Sequence, residues 1–134
     1  AILSIGINDA YETTFSKEKF KKNYDSLIRK IQISNPNAVI LFTTNNDSYY
    51  KRKYPNKNAF LVREAMHELS EQHHGVVWDM FGIMGGLDSI KKWEENGLAK
   101  SDKIHFTVKG YKLIGDLLFE AIINSYSDYI RKHI

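Results

Sequence analysis

The sequence predicts an α/β protein with a parallel sheet covered on both faces. Three observations predict it. Three short apolar runs, AILSIG (1–6), AVILF (38–42) and VVW (76–78), show no polar alternation, the pattern of strands buried on both sides. Amphipathic stretches at helical spacing separate the runs. The intervening segments are also long enough for right-handed crossovers between parallel neighbours.

Taken in order, the first run ends in Gly6-Ile7-Asn8-Asp9. Ser16 is placed to cap a helix over 17–33, with Phe20, Tyr24, Leu27, Ile28 and Ile31 on one stripe. Ser34-Asn35-Pro36-Asn37 stops it, and the second run follows. The polar stretch TTNNDSYYKRKYPNK reads as a loop. A second helix is expected over 59–73, with Phe60, Leu61, Ala65, Met66 and Leu69 inward. Gly75 ends it ahead of the third run. DMFGIMGGL reads as a glycine-bearing loop, with Gly85-Gly86 as a tight turn. A short helix over 88–96 begins at an Asp88 or Ser89 cap and is closed by Gly97. The last helix spans 107–131, with Val108, Tyr111, Ile114, Leu117, Leu118, Ala121 and Ile122 inward.

The chain has 134 residues, 43% hydrophobic and 26% charged, with net charge +3. This is a globular composition and one domain over 1–134, sufficient to bury roughly two thirds of its unfolded surface. The basic excess is too small to imply nucleic acid. There is no Cys, which excludes disulfides and thiolate chemistry. No apolar run approaches the ~20 residues of a membrane span, and no signal-peptide pattern is read within these residues, a chain that starts inside a strand being able to have lost one.

In open α/β sheets, chemistry gathers beyond the carboxyl ends of the strands. This singles out Gly6–Asp9, Thr43–Ser48 and Asp79–Leu87. Asn8 offers an amide donor where an oxyanion would be stabilised, and Asp9 a carboxylate to hold the loop. A plain Asx-type turn explains the same residues. Before the last helix stands Asp102-Lys103-Ile104-His105. A tight loop there sets the carboxylate against Nδ1, fixes the tautomer and leaves Nε2 as a base. A solvated loop pair is the competing account. His67, His73, His74 and His133 lack the carboxylate or thiolate spacing of a metal site, and no metal is expected. Tyr49–Tyr54 mixes aromatic and basic residues as single-strand binders do, but nothing extends the patch. It reads as a solvated, partly apolar loop over the sheet edge.

Gly6-x-Asn8-Asp9 after one strand and Asp102-x-x-His105 before the final helix together resemble two signature blocks of the SGNH (GDSL-type) hydrolases. The resemblance covers nearly the whole chain, with its specific motifs at the two ends. It implies a three-layer α/β/α flavodoxin-like fold and a serine esterase or lipase-acylhydrolase without metal or organic cofactor. By this resemblance Asn8 is an oxyanion-hole donor, His105 the general base that activates a serine, and Asp102 its orienting partner. The TTNND loop and the MGGLDSIKKW region would flank the acyl or alcohol site.

The family's Gly-Asp-Ser nucleophile block and its oxyanion Gly precede Gly-x-Asn-Asp, and neither occurs ahead of Ala1. Gly86-Leu87-Asp88-Ser89 is only a scrambled substitute. The chain therefore resembles the C-terminal part of such a hydrolase, its last three strands. The expected substrate is an acyl ester, including acetyl esters of carbohydrate. A non-catalytic α/β binding module is the alternative, and a nucleic-acid-associated domain ranks last. In the family order 2-1-3-4-5, the 1–6 strand would normally pair with an absent strand. Its edge is expected to pair with a second copy or with the N-terminal segment.

Overall fold

A computed structural model describes all residues, 1–134. Three parallel strands, β1 (Ile2–Leu3), β2 (Leu41–Thr43) and β5 (Val76–Trp78), form a sheet in the order β1-β2-β5. Ile2 pairs with Leu41, and Leu41 with Val76. The helices are α1 (Ile7–Ala10), α2 (Lys17–Ser34), α3 (Asn58–Gln72), α4 (Met80–Met84), α5 (Ser89–Glu95) and α6 (Val108–His133).

The layering follows from the alternation of side chains along each strand. Phe42 and Val77 join Phe20, Tyr24 and Ile28 of α2 and Val62, Ala65, Met66 and Leu69 of α3 on one face. Leu41 and Trp78 face the other way, toward Met80, Ile90, Trp93 and Phe106, with Ile114, Leu117, Leu118 and Ala121 of α6 packed against them. This is the α/β/α sandwich. No helix is long and apolar enough to cross a membrane.

Several expectations are corrected. The 1–6 strand shrinks to two residues, because the chain turns at Gly6 into α1. Gly6 has φ 135°, and a Cβ there would lie 3.0 Å from Asn45 Oδ1, so only glycine suits the turn. The DMFGIMGGL loop contains helix α4, whose first turn is capped by Asp79. Phe60 and Leu61 point outward on α3, and Ala59 and Val62 point inward in their place. On α6, Val108 is 88% exposed and Tyr111 and Ile122 are also exposed. The helix meets the sheet along a narrower stripe than its apolar content implies.

The TTNND–YPNK stretch is not simply a polar loop, although Lys51–Tyr54 are exposed. It contains an antiparallel hairpin, β3 (Tyr49–Tyr50) and β4 (Tyr54–Pro55). Thr43, Thr44, Asn45, Asp47, Ser48 and Tyr49 ahead of its turn are buried. The turn, closed by Lys53 N–H donating to the Tyr50 carbonyl, holds Lys51 and Arg52 at φ 49° and 60°. Such turns favour Asn-Gly, so Lys-Arg gives no sequence signal.

The start of α6 is seated by contact at Gly110. A Cβ there would fall 1.9 Å from the Leu98 carbonyl oxygen. Gly110→Ala is therefore expected to cost about 1–3 kcal/mol, because backbone must move to admit it. Gly115, with open space around it, is the control. Gly115→Ala should stabilise the helix by about 1 kcal/mol. Urea midpoints of the two variants should move in opposite directions.

Candidate active site

The Asp102–His105 loop is built from local hydrogen bonds. Asp102 Oδ1 accepts from the backbone N–H groups of Ile104 and His105, both at 2.9 Å. Its Oδ2 lies 2.8 Å from His105 Nδ1. Lys103, at φ 58°, makes the tight reversal. Outside the loop, Lys100 N–H donates to the His105 carbonyl, and Thr107 N–H to that of Leu98. Thr107 also caps α6 by accepting from Gly110 N–H. The histidine thus stands at the mouth of the last helix, tied to the Leu98–Lys100 segment.

Burial would push the Asp102 carboxyl up. The backbone and ring donors of His105 and the Ile104 N–H outweigh it and hold the group at about 2. An ionised Asp102 only accepts, so the proton on Nδ1 points toward it and Nε2 is left as the basic nitrogen. No protein group bonds Nε2, and the imidazole is 60% exposed.

Asp102 binds its proton less readily in the folded state than in the unfolded chain. Its stabilising contribution is therefore full above pH ~4 and fades as the pH falls toward about 2. Asp102→Asn should cost about 1–2 kcal/mol near neutrality. The gap between its urea midpoint and the wild-type one should close across that acid window.

Asn8 reaches the same place from the other end of the chain. Helix α1 is held by three anchors. The Tyr24 hydroxyl donates to the Ile5 carbonyl. The Asn56 and Asn58 amides donate to the Ala10 carbonyl at 2.9 and 3.0 Å. The Asn8 side chain is exposed and bonds no protein group. It lines a cavity of about 310 Å³ together with Ile7, Tyr11, Ile104 and His105. The structure therefore brings Asn8 and His105 to one wall, at the carboxyl side of the sheet. A neighbouring cavity of about 300 Å³, lined mainly by apolar residues including Met80, Ile104, Phe106 and Tyr111, also contains His105 and Ser4.

Other expected groups lie elsewhere. Asp9 makes no side-chain hydrogen bond to its loop and faces a separate cavity with Glu12 and Ser16. Ser89 is buried beside Met84, Gly85 and Lys92, not against His105. Neither Asp88 nor Ser89 caps α5 through its side chain. Asp88 takes the Tyr49 hydroxyl instead, and the buried Asp47 accepts from Ile90 N–H at 2.9 Å. The MGGLDSIKKW region thus borders a different hollow. The TTNND loop does reach the His105 cavity. Asn46 lines it, and its amide donates to the Ile104 carbonyl at 3.0 Å. Its position just past β2 was the only available signal. His73 pairs with Asp25 at 2.9 Å, and no three His, Asp or Glu side chains converge to hold a metal.

The family model for the GDSL-like lipase/acylhydrolases matches residues 1–113. No curated protein sequence matches the chain. Among solved structures, a peptidoglycan O-acetylesterase superposes with TM-score 0.79 at 26% identity over 92% of this chain and 37% of its own. A lipase/acylhydrolase from Enterococcus faecalis gives 0.67 at 19% identity, over 90% of this chain and 59% of its own. The esterase domain of a zebrafish retrotransposon ORF1 protein gives 0.62 at 18% identity, over 91% of this chain and 67% of its own. These last two identities speak for the fold alone. The chain spans little more than a third of the first of these structures and under two thirds of the second. With the match running through both Gly-x-Asn-Asp and Asp-x-x-His, the chain belongs to the GDSL-like lipase/acylhydrolase family.

Proposed function

We propose that residues 1–134 act as one α/β unit of a serine ester hydrolase and contribute the base, its orienting acid and one oxyanion donor. In this reading His105 removes the proton from a serine hydroxyl as it attacks the acyl carbon. Asp102 holds the imidazole and stabilises the imidazolium. Asn8 donates to the oxyanion of the tetrahedral intermediate. The intermediate then collapses, the imidazolium protonates the departing alcohol, and a water attacks the acyl-serine by the same route.

The observation that carries the reading is Asn8 and His105 lining one cavity, with Asp102 on His105 Nδ1 and Nε2 free of any protein partner. No serine hydroxyl of these residues is bonded to His105, which favours a nucleophile contributed by further chain of the whole protein. Similarity to the peptidoglycan O-acetylesterase supports an acetyl ester on carbohydrate as substrate. The outer side of β1 has no strand partner, and Ile2 and Ile5 beside it are over half exposed. That open edge is suited to pairing with the segment that carries the serine, or with a second copy.

Covalent labelling tests the assignment. A fluorophosphonate should label one serine of the whole protein, and His105→Ala should abolish the labelling. The 134 residues alone should neither label nor release nitrophenol from nitrophenyl acetate. Label mapped to Ser4 would place the nucleophile within these residues. Labelling indifferent to His105 would end the triad reading.

A further inference from the structure

The Tyr50–Lys53 turn is held against Tyr11, a residue of the cavity that contains Asn8 and His105. The backbone N–H of Lys51 donates to the Tyr11 hydroxyl at 3.0 Å, and the Tyr11 and Tyr50 rings meet at 5.0 Å. Tyr11 itself lines the cavity. Lys51, Arg52 and Lys53 are exposed, and none is in an ion pair. The carboxylates of Asp9 and Glu12 nearby in sequence to Tyr11 face a separate cavity. Directly across the hairpin from Tyr50, Tyr54 leaves 64% of its surface uncovered.

The backbone adds a second, independent observation. Two long cationic side chains occupy consecutive left-handed positions, φ 49° and 60°, where Asn-Gly would be unstrained. Strain of this kind persists where the residues serve a function. The hairpin pairing imposes these angles, but the packing does not account for Lys and Arg being the residues that take them: the Lys51 ammonium lies over the Tyr50 ring at 5.3 Å and Arg52 is exposed.

We propose that this turn docks an anionic glycan, the polymer whose acyl ester enters the cavity of Asn8 and His105. The proposal rests on the esterase reading and names its substrate class. The three unpaired cations attract carboxylate or phosphate groups on the polymer. The Tyr54 ring supplies an apolar face for the C–H surface of a sugar. The cations occupy one turn rather than a track along a groove. That favours a glycan over single-stranded nucleic acid, whose binders follow the backbone and stack several bases.

The test measures binding apart from hydrolysis. Titration calorimetry would compare polygalacturonate, neutral dextran and single-stranded DNA as probes. Polygalacturonate should bind at least about tenfold tighter than dextran, and added salt should weaken it. The double variant Lys51→Asn with Arg52→Gly removes two cations and suits the turn better. It should lose about tenfold in polygalacturonate affinity while its melting temperature rises, so loss of binding cannot be loss of fold. His105→Ala should bind as the wild type does. Equal affinity for dextran, unchanged affinity in the double variant, or tighter binding of DNA would each overturn the proposal. A protein that binds polygalacturonate through the turn but hydrolyses no ester would overturn the esterase reading and leave the docking surface standing.

Discussion

His105→Ala in the whole protein is expected to lower kcat for ester hydrolysis by about 10⁴-fold or more, the scale on which removal of one member disables a serine triad. The loss should sit in chemistry and not in folding. The imidazole is largely exposed, and Asp102 keeps its two backbone donors from Ile104 and residue 105 when the ring is gone. Urea midpoints should therefore move little. Because the ring projects into open space beside the cavity, added imidazole should enter the vacancy and restore part of the rate. A folded variant with the wild-type rate would remove His105 from the role of base.

Asn8→Ala should lower kcat by about 10²–10³-fold with KM nearly unchanged, the effect of deleting a donor that bonds only the oxyanion. The structure makes this variant a clean probe. The Asn8 amide bonds no protein group, whereas α1 is held by Tyr24, Asn56 and Asn58. Stability should stay within about 0.5 kcal/mol of wild type, as for other surface changes. Asn8→Asp, of the same shape but without the donor and with a negative charge beside the developing oxyanion, should be at least as slow. If instead Asn8 were a turn residue, stability would fall and the rate per folded molecule would not.

Much of the fold was legible because it rests on local rules. The α2 stripe and its Ser16 cap, which accepts from Lys19 N–H at 3.2 Å, follow from helical spacing and capping chemistry. The three strands follow from apolar runs without alternation. The Asp102–His105 contact was legible for a similar reason, since three residues of tight loop bring a carboxylate to its own neighbour's ring. The hairpin was not, because Lys51-Arg52 carries no turn signal and its positive φ values are imposed by the Tyr49–Tyr50 and Tyr54–Pro55 pairing.

By itself, then, the sequence determined the order of the three parallel strands and of the four longer helices, the α/β class and the two motifs that mark the family. Each is encoded within a few residues by side-chain type and period. Tertiary structure decided what lies against what. It turned the TTNND stretch from a polar loop into a buried seam, with Asp47 reaching a helix some forty positions onward to bond Ile90. It moved Ser89 away from the histidine and brought Asn46 to it through the Ile104 carbonyl. It also set Tyr11 and the Lys51 turn beside Asn8. These contacts join segments far apart in the chain, and a buried carboxylate such as Asp47 finds its partner, the Ile90 N–H, only across that distance. No local pattern records that requirement, so only the folded chain reveals it.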